Sequence, residues 1–349
     1  MNFDLSEDQR LLVDTVASFV KKQSPIGRAR KLREDAIGWE KNVWRQMGEF
    51  GWLGVAFPEE AGGLGQSFAE AALILEQFGT TLVPEPYVPL LVAGTALVRA
   101  AGAQAASKWL APAIEGKTSL AFANGTEGGG GIHPPVLLAR WVINGHAADH
   151  IVVADGDKLL VVDRAGAEIT PVATMDGRKA AMIKVKKPAA TFEKAREAID
   201  LANDVGAAAA CAEGTGIMRT VLAMTCDYLR TRDQFGVKIG TFQALQHRAV
   251  DMFVETELSR STSILAMIKI AAENADERKS AISAAKVQLA WGGRYVTQQS
   301  IQLHGGIGIT DEADVGLYFK RMHILNTLYG DEEHHLARFG SLPSFTSGV

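Results

Sequence analysis

Two cysteines in 349 residues, Cys211 and Cys226, exclude a disulfide framework and a four-thiolate metal site. Both lie in apolar helical sequence and read as plain buried thiols in a reducing cytoplasm, the default compartment. No uninterrupted apolar stretch reaches the roughly 20 residues that a membrane span needs. The nearest approach, 87–98, stops at Arg99 and is broken by Pro89 and Gly94. The acidic, polar start MNFDLSEDQR lacks a basic segment followed by an apolar signal core. Basic excess is also missing: a net charge of −4 gives no electrostatic ground for nucleic acid as the main partner. What is present is 47% hydrophobic and 22% charged, an ordinary globular composition. The length suffices for two or three domains with a sizeable core.

The first third reads as helical. Leu12, Val16, Phe19 and Val20 share one helical face, and Ser6 with Gln9 fits a capping box ahead of them. A second helix carries Trp44, Met47 and Phe50 and ends near Gly51, before the turn-rich FPEEAGGLGQS. Helix resumes at Ser67 or Phe68 through Phe78, then Pro84, Pro86 and Pro89 set a bend before another apolar helix. From Thr118 to about Thr191 the texture changes to short β-type runs: SLAFAN, LLARWVI, HIVVA, KLLVVD and AAMIKVK. A small antiparallel sheet domain is expected over 118–191, between an α-helical domain at 1–117 and an α-helical bundle at 192–349. The glycine run Gly128 to Gly131 reads as a hairpin loop, because no P-loop Lys-Ser/Thr follows it. Helices are expected at Glu193–Leu229, Phe242–Asn274, Ser280–Leu303 and Asp314–Tyr329, with connections short enough for a four-helix antiparallel bundle. The fold class is α+β in the order α, β, α.

Two segments of the last bundle carry chemistry-bearing residues. Arg232-Asp-Gln-Phe-Gly236 leads into Phe242-Gln243 and Gln246-His247, and Gln302-Leu-His-Gly-Gly-Ile-Gly308 begins 70 residues after Arg232. Arg232 can pair with a phosphate, and Phe235 offers an aromatic face. Gln302 offers amide donors and acceptors, and Gly305 and Gly306 let backbone approach a bulky ligand. Taken alone, the second segment is equally a helix C-cap and turn.

Together these segments resemble the acyl-CoA dehydrogenase family. Matching stretches are WRQMGEFGWLGVAFPEEAGGLG, RTRDQFGVKIGTFQALQHRAVDM and IQLHGGIGIT. The resemblance implies an acyl-CoA dehydrogenase-like subunit binding FAD, with dimer pairs often assembled as tetramers. It implies that Arg232, Phe235, Phe242, Gln243, Gln302, Gly305 and Gly306 reach the flavin nucleotide of a neighbouring subunit. Trp141 matches the aromatic residue that flanks the flavin; a buried, packed Trp is an equally good reading. The implied reaction is α,β-desaturation of an acyl-CoA thioester, in which a carboxylate removes the α proton and a hydride passes to the flavin. Electron-transfer flavoprotein or a similar acceptor would then take the electrons. No metal is implied.

The sequence departs from the family at the base. Ungapped matching puts Gly330 where most members have a Glu after a Tyr. In a minority of members the base sits on the first long helix of the C-terminal domain, and that position matches Gly206. The Arg that commonly follows is matched by Ala207, whereas Asp204 keeps a common acidic position. Ile143 replaces a hydroxyl expected two residues after the aromatic. Asp331 and Glu332 are the candidate replacement bases, and equally N-terminal charges of the helix running to Arg338. His334 and His335 have no metal set around them. Three readings result: a short subunit of a heteromeric acyl-CoA dehydrogenase (a heterotetramer with a full-length homologue, of the fatty acid or steroid side-chain type), a self-sufficient dehydrogenase, or a silent flavin- or CoA-binding scaffold.

Overall fold

The computed structural model describes residues 4–128 and 136–343. Gly128 lies at the end of a strand, and the rest of the glycine run, 129–131, lies outside the described residues. The chain divides into two compact units, 29–71 with 84–206, and 1–28 with 72–83 and 207–349. Among the described residues no helix is long and apolar enough to cross a membrane.

The first unit holds the helices α3 (Lys41–Glu49), α5 (Tyr87–Ala101) and α6 (Ala103–Ile114) and a seven-stranded sheet. Its strands are β1 (Leu120–Gly128), β2 (Val136–Ile143), β3 (His150–Asp155), β4 (Lys158–Asp163), β5 (Ala167–Ala173), β6 (Lys179–Val185) and β7 (Ala190–Phe192). They lie in the order β5-β6-β2-β1-β3-β4-β7. Every pair is antiparallel except β1 with β3, which run parallel with Leu120 opposite His150. The sheet is therefore mixed, where the runs alone led to an antiparallel one. The reason is visible in the burial: β3 and β4 each bury four consecutive residues, so their apolar runs carry no alternation to indicate direction. Small residues dominate the core, with Ala121, Ala123, Ala139, Ala148 and Ala181 packed among Val142, Ile151, Val153 and Ile183. A register shift between Ala139 and Val142 breaks β2 against β6. Trp141 falls in that bulge with a left-handed φ of 56° and is 61% exposed, so the buried-Trp reading is overturned.

The second unit is helical. It opens with α1 (Glu7–Gln23), whose Ser6 cap and Gln9 exchange the two hydrogen bonds of a capping box. The long α7 (Arg196–Thr231) enters it from Ala207 onward. There follow α8 (Gln243–Lys269), α9 (Ala275–Gln288), α10 (Arg294–His304), α11 (Val315–Thr327) and α12 (Glu332–Gly340). The expected helix over 280–303 is two helices joined by one π-helical stretch, Leu289–Gly293. That stretch shifts the side-chain phase without a break in apolar character, so periodicity alone merges the two. The helix α4 (Phe68–Thr81) crosses α7 closely, because a Cβ at Gly79 would strike the Glu213 carbonyl and one at Gly216 the Glu76 carbonyl. The ion pair of Glu76 with Arg219 joins these two helices, and a buried pair in which Arg321 donates to Glu213 at 2.6 Å ties α11 to α7. Cys211 is a buried thiol, pushed by desolvation up to about 12, and Cys226 is half-buried.

Candidate active site and nucleotide groove

The segment after α7 reverses in a two-stranded hairpin pairing Asp233 with Lys238 and Gln234 with Val237. Its turn residues Phe235 and Gly236 both have positive φ, 55° and 79°, the backbone of a tight hairpin turn. Gly236 adopts this freely; Phe235 is held there with its ring 89% exposed. A short 3-10 turn (Ile239–Thr241) then delivers Phe242 in extended conformation as the N-cap of α8. The rings of Phe235 and Phe242 meet edge to face, with centroids 6.1 Å apart. At the end of α10, Gly305 takes φ 62° and ψ −142°, a backbone state that needs glycine. A side-chain carbon at Gly305 or Gly306 would meet nothing within 4 Å, so that backbone is open to a ligand.

These elements enclose a groove of about 650 Å³. The last turn of α7 contributes Tyr228 and the residue after it Arg232, α8 contributes Arg248, and the end of α10 with the turn after it contributes Gln302, His304, Gly305 and Gly306. The structure thus brings together four residues named from sequence: Arg232, Gln302, Gly305 and Gly306. Phe235, Phe242 and Gln243 are exposed beside the groove and do not line it. Trp141 belongs to the sheet unit.

Three lining residues escaped the sequence reading. Tyr228 stacks on His304, with centroids 4.5 Å apart and planes 24° apart. His304 Nδ1 lies 2.8 Å from the Ser300 carbonyl, and burial lowers its pKa. The ring is therefore neutral near pH 7, with Nδ1–H donating to that carbonyl. Arg248 donates to Gln299 Oε1 at 3.3 Å, which directs a second guanidinium along the groove. His304 and Arg248 lie inside the marked segments but carry no signal of their own there, Tyr228 lies just ahead of the first, and only the fold assembles the three.

The candidate bases lie elsewhere. Asp331 is the N-cap of α12 and accepts from the His334 N–H at 2.9 Å. Glu332 accepts from Trp291 Nε1 at 2.5 Å and from Arg294 at 3.2 Å. Both line a separate hollow of about 320 Å³ with Arg294, His323 and Met322. Asp331 thus caps a helix, and Glu332 ties the first turn of α12 to the side chains of Trp291 and Arg294. Gly330 has φ 101°, follows Tyr329 at φ 58°, and carries no side chain to act as a base. Gly206, at the alternative position, is buried in α7, as are Asp204 and Ala207.

Comparison with known proteins agrees with this architecture. Residues 202–340 match the acyl-CoA dehydrogenase C-terminal domain, and residues 6–117 match the acyl-CoA dehydrogenase N-terminal domain. The chain belongs to the acyl-CoA dehydrogenase family. Members of this family are FAD-dependent oxidoreductases. Acyl-CoA dehydrogenase IpdE2 of Mycolicibacterium smegmatis is 34% identical over 335 residues, covering 96% of this chain and 98% of that protein. Among solved structures, the ChsE4-ChsE5 complex from Mycobacterium tuberculosis superposes with a TM-score of 0.86 at 25% identity, covering 97% of this chain and 98% of that one. A variant of the Tcur3481-Tcur3483 steroid acyl-CoA dehydrogenase gives a TM-score of 0.86 at 26% identity, covering 98% and 99%.

The groove residues fit part of the family's dinucleotide. Two guanidinium groups, an amide and side-chain-free backbone suit a diphosphate, and a Tyr–His stack suits a flat base beside it. The sheet is less well equipped. Around Trp141 it offers Ile143 where a hydroxyl would be needed, and the Asn124 amide is paired with Asn203 at 3.0 Å.

Proposed function

We propose that this chain is the short partner subunit of a heteromeric FAD-dependent acyl-CoA dehydrogenase. It supplies Arg232, Gln302, Gly305 and Gly306 to the FAD of a full-length subunit, and that subunit supplies the catalytic carboxylate. The observation that carries the proposal is the pairing of a well-formed surface groove with a base position, Gly330, that has no side chain. A bound flavin would accept the hydride from the acyl β carbon, and electron-transfer flavoprotein or a similar acceptor would reoxidise it. This chain's own part is to bind the diphosphate and fix its orientation, since charge-assisted hydrogen bonds from Arg232 and Arg248 hold phosphate oxygens strongly.

Two further observations support assembly with another chain. The exposed face of α8 carries Val250, Phe253, Val254, Leu258 and Leu265, an apolar stripe of helical spacing. The ChsE4-ChsE5 structure, a complex of two differently named chains, has a chain of this fold and length. The steroid acyl-CoA dehydrogenase among the similar structures favours a bulky, steroid-type acyl-CoA as substrate.

The test is co-expression with a full-length homologue encoded nearby. The expected result is a stable complex that retains FAD and oxidises acyl-CoA, while this chain alone is colourless. Equal flavin content and turnover with and without the partner would overturn the proposal. The self-sufficient alternative has one specific handle: acyl-CoA-dependent flavin bleaching by this chain alone, lost in Asp331→Asn or Glu332→Gln.

A further inference from the structure

Beneath the Tyr329–Gly330 turn lies a set of buried polar groups that the groove does not use. Lys286, on α9, is 1% exposed, and its ammonium donates to the carbonyls of Leu325 at 2.7 Å and Leu328 at 2.9 Å. These are carbonyls at the end of α11, left without helical partners, and a cation there also meets the negative end of the helix dipole. His335, on α12, is equally buried, and its Nε2 lies 3.0 Å from the Tyr329 carbonyl. That nitrogen must carry the proton, so Nδ1 accepts from the Ser283 hydroxyl at 3.2 Å. Burial and the nearby Lys286 charge push the imidazole down to about 4, which keeps it neutral in this role. The His334 ring packs edge to face on His335, with centroids 5.0 Å apart. A Cβ built on Gly330 would stand 2.5 Å from His334 Cδ2 and 2.8 Å from His335 Nε2.

We infer that the Tyr329–Gly330 turn is built shut: Lys286, Ser283 and His335 are positioning residues that hold it from beneath, and the two imidazole rings occupy the space into which any side chain at 330 would grow. The inference leans on the proposed function only in naming 330 as the base position. Its consequence is that the missing base is not a simple deletion. A side chain placed at 330 would have to displace the exposed His334 ring and the buried, hydrogen-bonded His335 ring, and the left-handed backbone at 330 opposes it as well. Regaining a base here would take the removal of at least one imidazole.

A double-mutant cycle on the full chain tests this. Gly330→Ala should lower the melting temperature by several degrees, and His334→Ala should change it little. In the double variant part of the Gly330→Ala loss should be recovered, because one of the two rings that the new methyl strikes is gone. Gly330→Asn separates clash from backbone strain, since Asn tolerates positive φ better than Ala. It should be no more stable than Gly330→Ala. A third reading does not depend on stability. The His335 Nε2–H should give a slowly exchanging imidazole proton resonance in the wild type and in His334→Ala. It should shift or broaden away in Gly330→Ala. Equal losses in both backgrounds, or an unmoved resonance in Gly330→Ala, would overturn the inference. None of these measurements involves flavin or a second chain, so their failure leaves the partner-subunit proposal standing. Failure of that proposal, in turn, leaves the cycle intact.

Discussion

At the residue scale, the balance of charge inside the groove decides what it can hold. Arg232 and Arg248 line it, and among the described residues no carboxylate does. A guanidinium–phosphate hydrogen bond contributes about 1.5–3 kcal/mol, so Arg232→Gln or Arg248→Gln should each weaken FAD retention by the assembled enzyme roughly tenfold or more. Flavin release measured by fluorescence checks this, with circular dichroism expected to stay unchanged. The loss should shrink as ionic strength rises, because both side chains reach solvent. Arg232 was legible because it begins a marked motif. Arg248 was not, since one arginine inside an amphipathic helix looks like any solvated charge until α10 is packed beside it. His335 illustrates the same limit, because nothing in Glu333-His334-His335-Leu336 distinguishes the buried ring from the exposed one. Its burial has a measurable result. Its pKa falls from 6.5 to about 4 on folding, so within that window the unfolded chain binds more protons. Stability should therefore be complete above pH 6.5 and decline as pH falls towards 4, by up to about 3 kcal/mol from this group. Denaturant melts across that range should show a shallower decline in His335→Gln.

At the element scale, helix contacts explain which glycines matter. Gly216 lies in α7 where α4 crosses it, and a methyl there would meet the Glu76 carbonyl, a backbone atom that cannot rotate away. Intrinsic helix propensity favours Ala over Gly by about 1 kcal/mol, whereas overpacking costs about 1–3 kcal/mol or more. The second effect wins where the obstacle is backbone, so Gly216→Ala should destabilise. Gly27 in α2 (Ile26–Leu32) has nothing within 4 Å of its added methyl, so Gly27→Ala should be neutral or slightly stabilising. Thermal melts should show a clear loss for Gly216→Ala and no loss for Gly27→Ala. Helix existence was readable from period 3.6 throughout the second unit, and the Ser6 capping box was readable residue by residue. Two features were not. The π-helical stretch at Leu289–Gly293 preserves apolar texture while changing phase. The parallel β1–β3 pairing joins strands whose side chains are apolar on both faces, so neither direction nor register leaves a trace in the pattern.

At the scale of the whole molecule, the question is what a chain with this surface needs in order to be stable and useful. Val250, Phe253, Val254 and Leu258 recur at spacings of three and four along α8, and all are more than 40% exposed. Leu265 extends the same face two turns further. Scattered exposed apolar residues need no explanation, but a stripe on one helix face is the kind of surface that suits the partner chain proposed above. The groove lies at the N-terminal end of the same helix, with Ala244, Leu245 and Arg248 in its lining. A chain docked along the stripe therefore ends beside the groove, which is where a dinucleotide shared between two subunits would have to lie. Assembly and flavin retention are then one equilibrium, since a ligand bound only by the complex stabilises the complex. Leu258→Glu lies four turns along α8 from the start of the helix, beyond the groove lining, and alters no residue that would touch the nucleotide. It should nevertheless lower the assembled mass seen by light scattering, and FAD should be lost in step with that mass. Excess FAD should restore part of both. If Leu258→Glu dissociates the assembly while flavin stays bound to one component at wild-type affinity, the groove is not shared and the nucleotide belongs to a single chain.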